Sequence, residues 1–155
     1  MGFTKTAEYQ IGSRLIPRSV ILGGAGAGFV AALREISTQY GGTISGVLFN
    51  VSRAPAVPNA VNPAFREALV SLVVGTYEDP RQNIANQKLM TDTIVPKLAG
   101  LIPGGGSAYL NEGDPWEPRW QKVFYGKNYD RLLKVKNKYD PSGILYSLTS
   151  VGSEA

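Results

Sequence analysis

The chain contains no cysteine and no histidine. The first absence excludes disulfides, a thiolate nucleophile and Cys-ligated metal. The second excludes Ser-His-Asp and Cys-His catalysis within this chain, and together they exclude the usual structural zinc sites. Proton transfer therefore falls to Asp, Glu, Lys, Tyr or bound water. No apolar run is long enough to cross a bilayer. Behind Met1, Gly2-Phe3-Thr4-Lys5 lead into no apolar stretch of signal-peptide type. No membrane partner is expected, and the compartment is left open. Charge is also sparse: 18% of residues, against 43% hydrophobic, over 155 residues. That balance suits one folded domain rather than a disordered chain or a coiled coil. The net charge of +4 is too mild to indicate a nucleic-acid partner.

What is plentiful is glycine (18) and proline (10), which punctuate the chain. Pro17 disfavours helix at Ile16, so Ser13 to Arg18 reads as extended. Phe29, Ala32, Leu33 and Ile36 recur at helical spacing and predict a helix from Gly26 to Gln39, ended by Gly41-Gly42. Thr43–Val51 reads as a strand, 53–63 as a proline-bearing loop, and Arg66–Tyr77 as a second strand with a helix as the alternative. Asp79 and Pro80 are start signals for a helix over Arg81–Leu98, bent at Pro96. A short extended piece is expected at Ala108–Asn111. Helices follow over Glu117–Tyr125 and Lys127–Tyr139, and a last strand over Ile144–Leu148. The irregular alternation implies an α+β fold, an antiparallel sheet with helices on one side.

Two stretches invite functional readings that their details do not support. Gly23-Gly24-Ala25-Gly26-Ala27-Gly28 is similar to a dinucleotide-binding turn, but only three apolar residues precede it and no acidic residue follows about twenty positions later. It is read as a loop leading into the apolar helix. Lys122, Lys127, Arg131, Lys134, Lys136 and Lys138 make a basic stretch broken only by Asp130. Without an accompanying nucleic-acid motif it reads as a solvated helix face.

The specific signal begins at Ala108. Tyr109-Leu110-Asn111-Glu112-Gly113-Asp114 is followed by Tyr125-Gly126-Lys127-Asn128-Tyr129-Asp130-Arg131-Leu132 and then by Lys136-Asn137-Lys138-Tyr139-Asp140-Pro141. In order and spacing these resemble the C-terminal signature of the berberine bridge enzyme-like branch of FAD-linked oxidases, within the vanillyl-alcohol oxidase type: Tyr-x-Asn-x-x-Asp, aromatic-Gly-x-Asn-Tyr-x-x-Leu, and a Lys-x-x-Tyr-Asp-Pro turn. Ser13–Arg18, Val61-Asn62-Pro63-Ala64-Phe65-Arg66 and Val151-Gly152-Ser153-Glu154 add weaker similarity to fungal secondary-metabolite members, of which the ergot-alkaloid chanoclavine synthase kind is one candidate.

The resemblance implies an FAD-linked oxidoreductase acting on a small organic substrate in secondary metabolism, with alkaloids among the candidates. Residues 1–107 would be part of a substrate-binding domain and 108–155 the C-terminal segment. The family's N-terminal FAD-binding domain, which supplies the attachment His and sometimes Cys, is expected to lie outside this chain. The chain alone is therefore expected to hold no flavin, and a separately supplied FAD-binding half is an implied partner. Tyr109 matches the family tyrosine that faces the flavin ring as base or proton donor, and Asn111 matches the asparagine that hydrogen-bonds near it. Two readings of Tyr109 stand: proton acceptor, or half-buried strand aromatic. Asp114 is read as ordering the turn before Pro115, with Asn128 and Tyr129 as structural. The competing reading of the whole is a non-catalytic remnant or interaction module that binds no flavin.

Overall fold

The computed structural model describes residues 9–54, 57–76 and 79–154. Three strands form one sheet: β1 (Ile11–Pro17), β2 (Thr43–Leu48) and β3 (Ala68–Gly75), in the order β1-β3-β2. β3 runs antiparallel to both neighbours, with Ser71 opposite Leu15 on one side and Val47 on the other. β1 and β2 are thus parallel, and the two helices between them, α1 (Arg18–Leu22) and α2 (Gly26–Gln39), leave a gap that β3 fills. The expected α+β class, with an antiparallel sheet and helices on one side, is what the structure has.

Alternation along each strand divides the sheet into two faces. Ile16, Leu72 and Val74 point toward Phe29 and Ile36 of α2 and toward Met90, Ile94, Val95 and Leu98 of the following helical run. Burying each such side chain contributes roughly 1.5–3 kcal/mol. Gly12 is required where β1 meets that run, since a Cβ there would lie 2.5 Å from Val95 Cγ2 and 2.6 Å from Met90 Sδ.

α2 has the predicted bounds, and its C-terminus closes with Gly41 at φ 64° and the Gly42 N–H on the Ile36 carbonyl (2.9 Å). The predicted bent helix is α3 (Asn83–Leu89), a π-helical turn (Met90–Ile94) and α4 (Val95–Gly100). Pro96 lies in the first turn of α4, and the wider π turn accommodates its missing N–H. Asp79 Oδ1 accepts the Arg81 N–H (3.0 Å), as a capping residue should.

Other expectations change. Strand β2 stops at Leu48 rather than Val51, and the proposed strand end at Tyr77 lies outside the described residues, as does part of the 53–63 loop. Gly23–Gly28 joins two helices with no strand before it, which removes the dinucleotide-loop geometry. The helix expected from Glu117 is a π turn at Gln121–Tyr125, and a 3-10 turn at Gly126–Asn128 leads into α5 (Tyr129–Tyr139). Ile144–Leu148 is not a strand. The Asp140 carboxylate accepts the N–H groups of Ile144 and Leu145 (2.9 Å each), holding that backbone on its own helix end instead of on a neighbouring strand. Lys127, Arg131, Lys134 and Lys138 are exposed, a solvated face. Among the described residues no helix is long and apolar enough to cross a membrane.

Candidate functional site

The sheet's second face carries Ser13, Leu15, Ser71, Val73, Ser45 and Val47. Its cover is uneven. At the outer edge of β1 the segment after the Gly104-Gly105-Gly106 turn pairs with the strand, the Leu15 N–H donating to the Ser107 carbonyl (2.7 Å), and Ser13 and Leu15 are buried. Over β2 the face is open, and Val47 is 64% exposed. Ser13 Oγ is buried on the covered side without a hydrogen-bond partner.

The segment that closes on β1 is built around a small second core of Ala108, Val123 and Phe124, flanked by Leu110, Trp120 and Tyr125. The Ala108 N–H donates to the Val123 carbonyl (3.0 Å), which also accepts from Asn62 Nδ2 (3.0 Å). Asn62 Oδ1 in turn accepts the Ala64 N–H (3.1 Å) and caps the 3-10 turn Pro63–Arg66. That turn delivers Phe65, whose ring meets Phe49 (centroids 5.7 Å apart) and the edge of Tyr109 (5.9 Å, 78°). Asn128 holds the same loop through the Asn59 and Val61 carbonyls (3.3 and 2.9 Å). The Asn-Pro-x-aromatic-Arg stretch and the Gly-x-Asn-Tyr element are therefore one bracket around Tyr109.

Tyr109 begins a 3-10 turn, Leu110–Glu112. Its ring is 38% exposed, and its hydroxyl oxygen accepts a hydrogen bond from Asn111 Nδ2 (2.8 Å). The two residues singled out in the sequence thus meet each other at the open side. Sequence reasoning missed Glu112. The turn brings its carboxylate onto β3, where it accepts the Ser71 hydroxyl proton (3.0 Å). Glu112 lies at an unspecified position of the Tyr-x-Asn-x-x-Asp element, and its partner is 41 residues away; only its adjacency to the motif could have flagged it.

The turn is anchored from the other direction by buried charge. Asp114 accepts the Thr91 hydroxyl (2.7 Å) and the Trp116 N–H (2.9 Å), and burial pushes its carboxyl above the usual range. Its role in ordering the turn before Pro115 holds, with a further tie to the π turn of the helical run. Tyr129 packs on Trp120 and Tyr125 (centroids 5.5 and 5.7 Å) and donates its hydroxyl to Glu154. Burial, then that bond, push its phenol up to about 12. Among the described residues no acidic cluster could hold a metal.

The profile of the Berberine and berberine like family matches residues 108–152. The FAD-linked oxidoreductase sor8 of Hypocrea jecorina is 46% identical over 149 residues, 94% of this chain and 26% of that protein. The crystal structure of the VAO-type flavoprotein MtVAO615 from Myceliophthora thermophila superposes with a TM-score of 0.80 at 33% identity, covering 94% of this chain and 27% of that one. MtVAO713 from the same organism gives 0.83 at 26% identity with the same coverage. Over 94% of its length the chain is similar to FAD-linked oxidoreductases of the berberine-like, vanillyl-alcohol-oxidase type. It matches that family's C-terminal segment and spans about a quarter of the length of the relatives.

Proposed function

We propose that this chain is the substrate-side and C-terminal flavin-side portion of an oxidoreductase that oxidises a small organic secondary metabolite, alkaloids included among the candidates. Residues 1–107 would form part of the substrate-binding domain and 108–155 the flavin-side segment. The observation that carries the reading is the Tyr109–Asn111 pair, presented at the open side of the sheet by the family segment itself. An exposed phenol and carboxamide are a donor set suited to the polar edge of a flavin and to a reacting substrate hydroxyl or amine. FAD, when bound, supplies the hydride acceptor. Acting as its phenolate, Tyr109 would take the proton released from the substrate, and Asn111, whose Nδ2 donates to that oxygen (2.8 Å), would hold it in place. Phe65 and Phe49 back the Tyr109 ring, and the second core fixes the turn.

The alternative for these residues on their own is a module that keeps the fold and binds no flavin. The visible spectrum of the purified chain, before and after incubation with FAD, separates the two roles. We expect it to be colourless, because a flavin needs many contacts and this segment offers few. Joined to the preceding portion of a relative, it should acquire a flavin band and substrate-dependent flavin reduction. A joined protein that holds flavin and turns over no differently when Tyr109 and Asn111 are both replaced would remove the proposal.

A further inference from the structure

The open face has a charge that the pairing of Tyr109 and Asn111 does not use. Glu112 accepts one hydrogen bond, from Ser71 Oγ (3.0 Å), and among the described residues no basic side chain pairs with it. Ser71 is itself buried at 6% exposure, so the carboxylate is tied to the central strand of the sheet. Arg18 donates to the Phe49 carbonyl (3.3 Å) and Arg66 to the Ala54 carbonyl (2.9 Å).

Around this acid the face is apolar and aromatic. Val47 lies opposite Ser71. Phe49, two residues on, stays in the ladder through its N–H on the Leu69 carbonyl (3.1 Å) and points to the same side as Val47. Phe65 and Tyr109 continue the row, and Tyr109 and Glu112 open and close one turn, the Glu112 N–H donating to the Tyr109 carbonyl (3.0 Å). An aromatic wall with one uncompensated, oriented carboxylate favours a ring-bearing ligand that carries a hydrogen-bond donor, and most of all a cationic one. It disfavours a ligand carboxylate, because two like charges on a partly desolvated surface repel.

We infer that Glu112, oriented by Ser71, is a specificity-determining residue of the open face: it takes the donor group of an aromatic or ring-bearing amine or alcohol and rejects acids. The inference rests on the proposed choice of the open face as the substrate side, and it does not depend on Tyr109 acting in proton transfer.

The probes are benzylamine, benzyl alcohol and benzoate, titrated into the isotopically labelled chain while backbone and carboxyl resonances are followed. Benzylamine and benzyl alcohol should perturb Ser71, Tyr109 and Glu112 together, the amine more strongly and with a dependence on salt that the alcohol lacks. Benzoate should leave these residues unmoved. Glu112→Gln keeps the shape and the Ser71 contact; it should weaken benzylamine by about tenfold and let benzoate approach benzyl alcohol in affinity. Ser71→Ala should reduce the discrimination while the Tyr109 resonances stay at their native positions. The inference is overturned if benzoate binds the face as well as benzylamine, if Glu112→Gln leaves the preference unchanged, or if no probe perturbs the face. The last outcome alone also argues against the open face as the substrate side. In the first two that face stands and only the role of Glu112 falls.

Discussion

Arg14 on β1 donates to Glu117, 103 residues later, at 2.5 Å, with the two side chains only 1% and 3% exposed. Arg14 also reaches the Gly105 carbonyl (3.2 Å) and the Ser13 carbonyl (2.9 Å), so its guanidinium is surrounded by acceptors. The pair sits on the helix-covered side of the sheet, next to the tie between Asp114 and Thr91. It fastens the segment bearing Tyr109 and Glu112 to the first strand.

Removing one partner leaves a buried charge without compensation, which costs about 3–5 kcal/mol. Glu117→Ala and Arg14→Ala should each lower the unfolding free energy by that amount, seen as an earlier denaturant midpoint. The double replacement Arg14→Met with Glu117→Leu should recover most of the loss, because an apolar pair of similar volume needs no desolvation. Urea unfolding of the four proteins checks this; a double variant no better than the singles would show that packing, not charge, is at stake.

Gly113 connects the same turn to the second core. A Cβ at this position would lie 2.4 Å from Phe124 Cε1 and 2.6 Å from Cζ. Phe124 is buried and cannot swing away. Gly113→Ala should therefore destabilise by about 1–3 kcal/mol through overpacking, and should shift the Tyr109 and Glu112 resonances. Thermal unfolding with a two-dimensional NMR spectrum checks both parts. Gly100→Ala, where a Cβ meets nothing within 4 Å, serves as the control that should leave the turn unmoved.

Tyr129 makes stability pH-dependent at the alkaline end. Its phenol is pushed up to about 12 in the folded chain, by burial first and by Glu154 second. In the unfolded chain it ionises near 10. Below pH 10 it is neutral in both states and costs nothing. Between about 10 and 12 the unfolded state loses its proton first, so stability falls as pH rises. Tyr129→Phe should flatten that part of the profile relative to the parent. Ultraviolet absorbance of the phenolate and chemical unfolding at stepped pH measure the two sides of the linkage; a Tyr129 that titrates near 10 in the folded chain would contradict it.

Local patterns in the sequence were enough for α2, where one periodicity runs unbroken between glycines; for β3 they left a helix open, and Arg18, read as extended with β1, starts α1. They were not enough where tertiary contact chose the geometry. Met90–Ile94 and Gln121–Tyr125 look helical by spacing, and only packing widens them into π turns. Ile144–Leu148 has strand composition, but the Asp140 carboxylate claims its amides. Tyr109 and Asn111 were legible because their pairing is local and lies in a motif. Glu112 was not, because its meaning depends on Ser71 arriving from the centre of the sheet.

The role proposed for Tyr109, acceptor of the substrate proton in the intact oxidoreductase, can be measured directly. The most direct measurement is anaerobic stopped-flow reduction of the flavin in a protein that joins the preceding portion of the Hypocrea jecorina relative to this chain, using that relative's own substrate. Tyr109→Phe removes only the hydroxyl and keeps the ring against Phe65, so fold and flavin content should persist. The reduction rate should fall by ~10²–10⁴-fold, with substrate binding changed far less. A reduction rate within a few-fold of the parent would contradict it and leave Tyr109 as a packing aromatic.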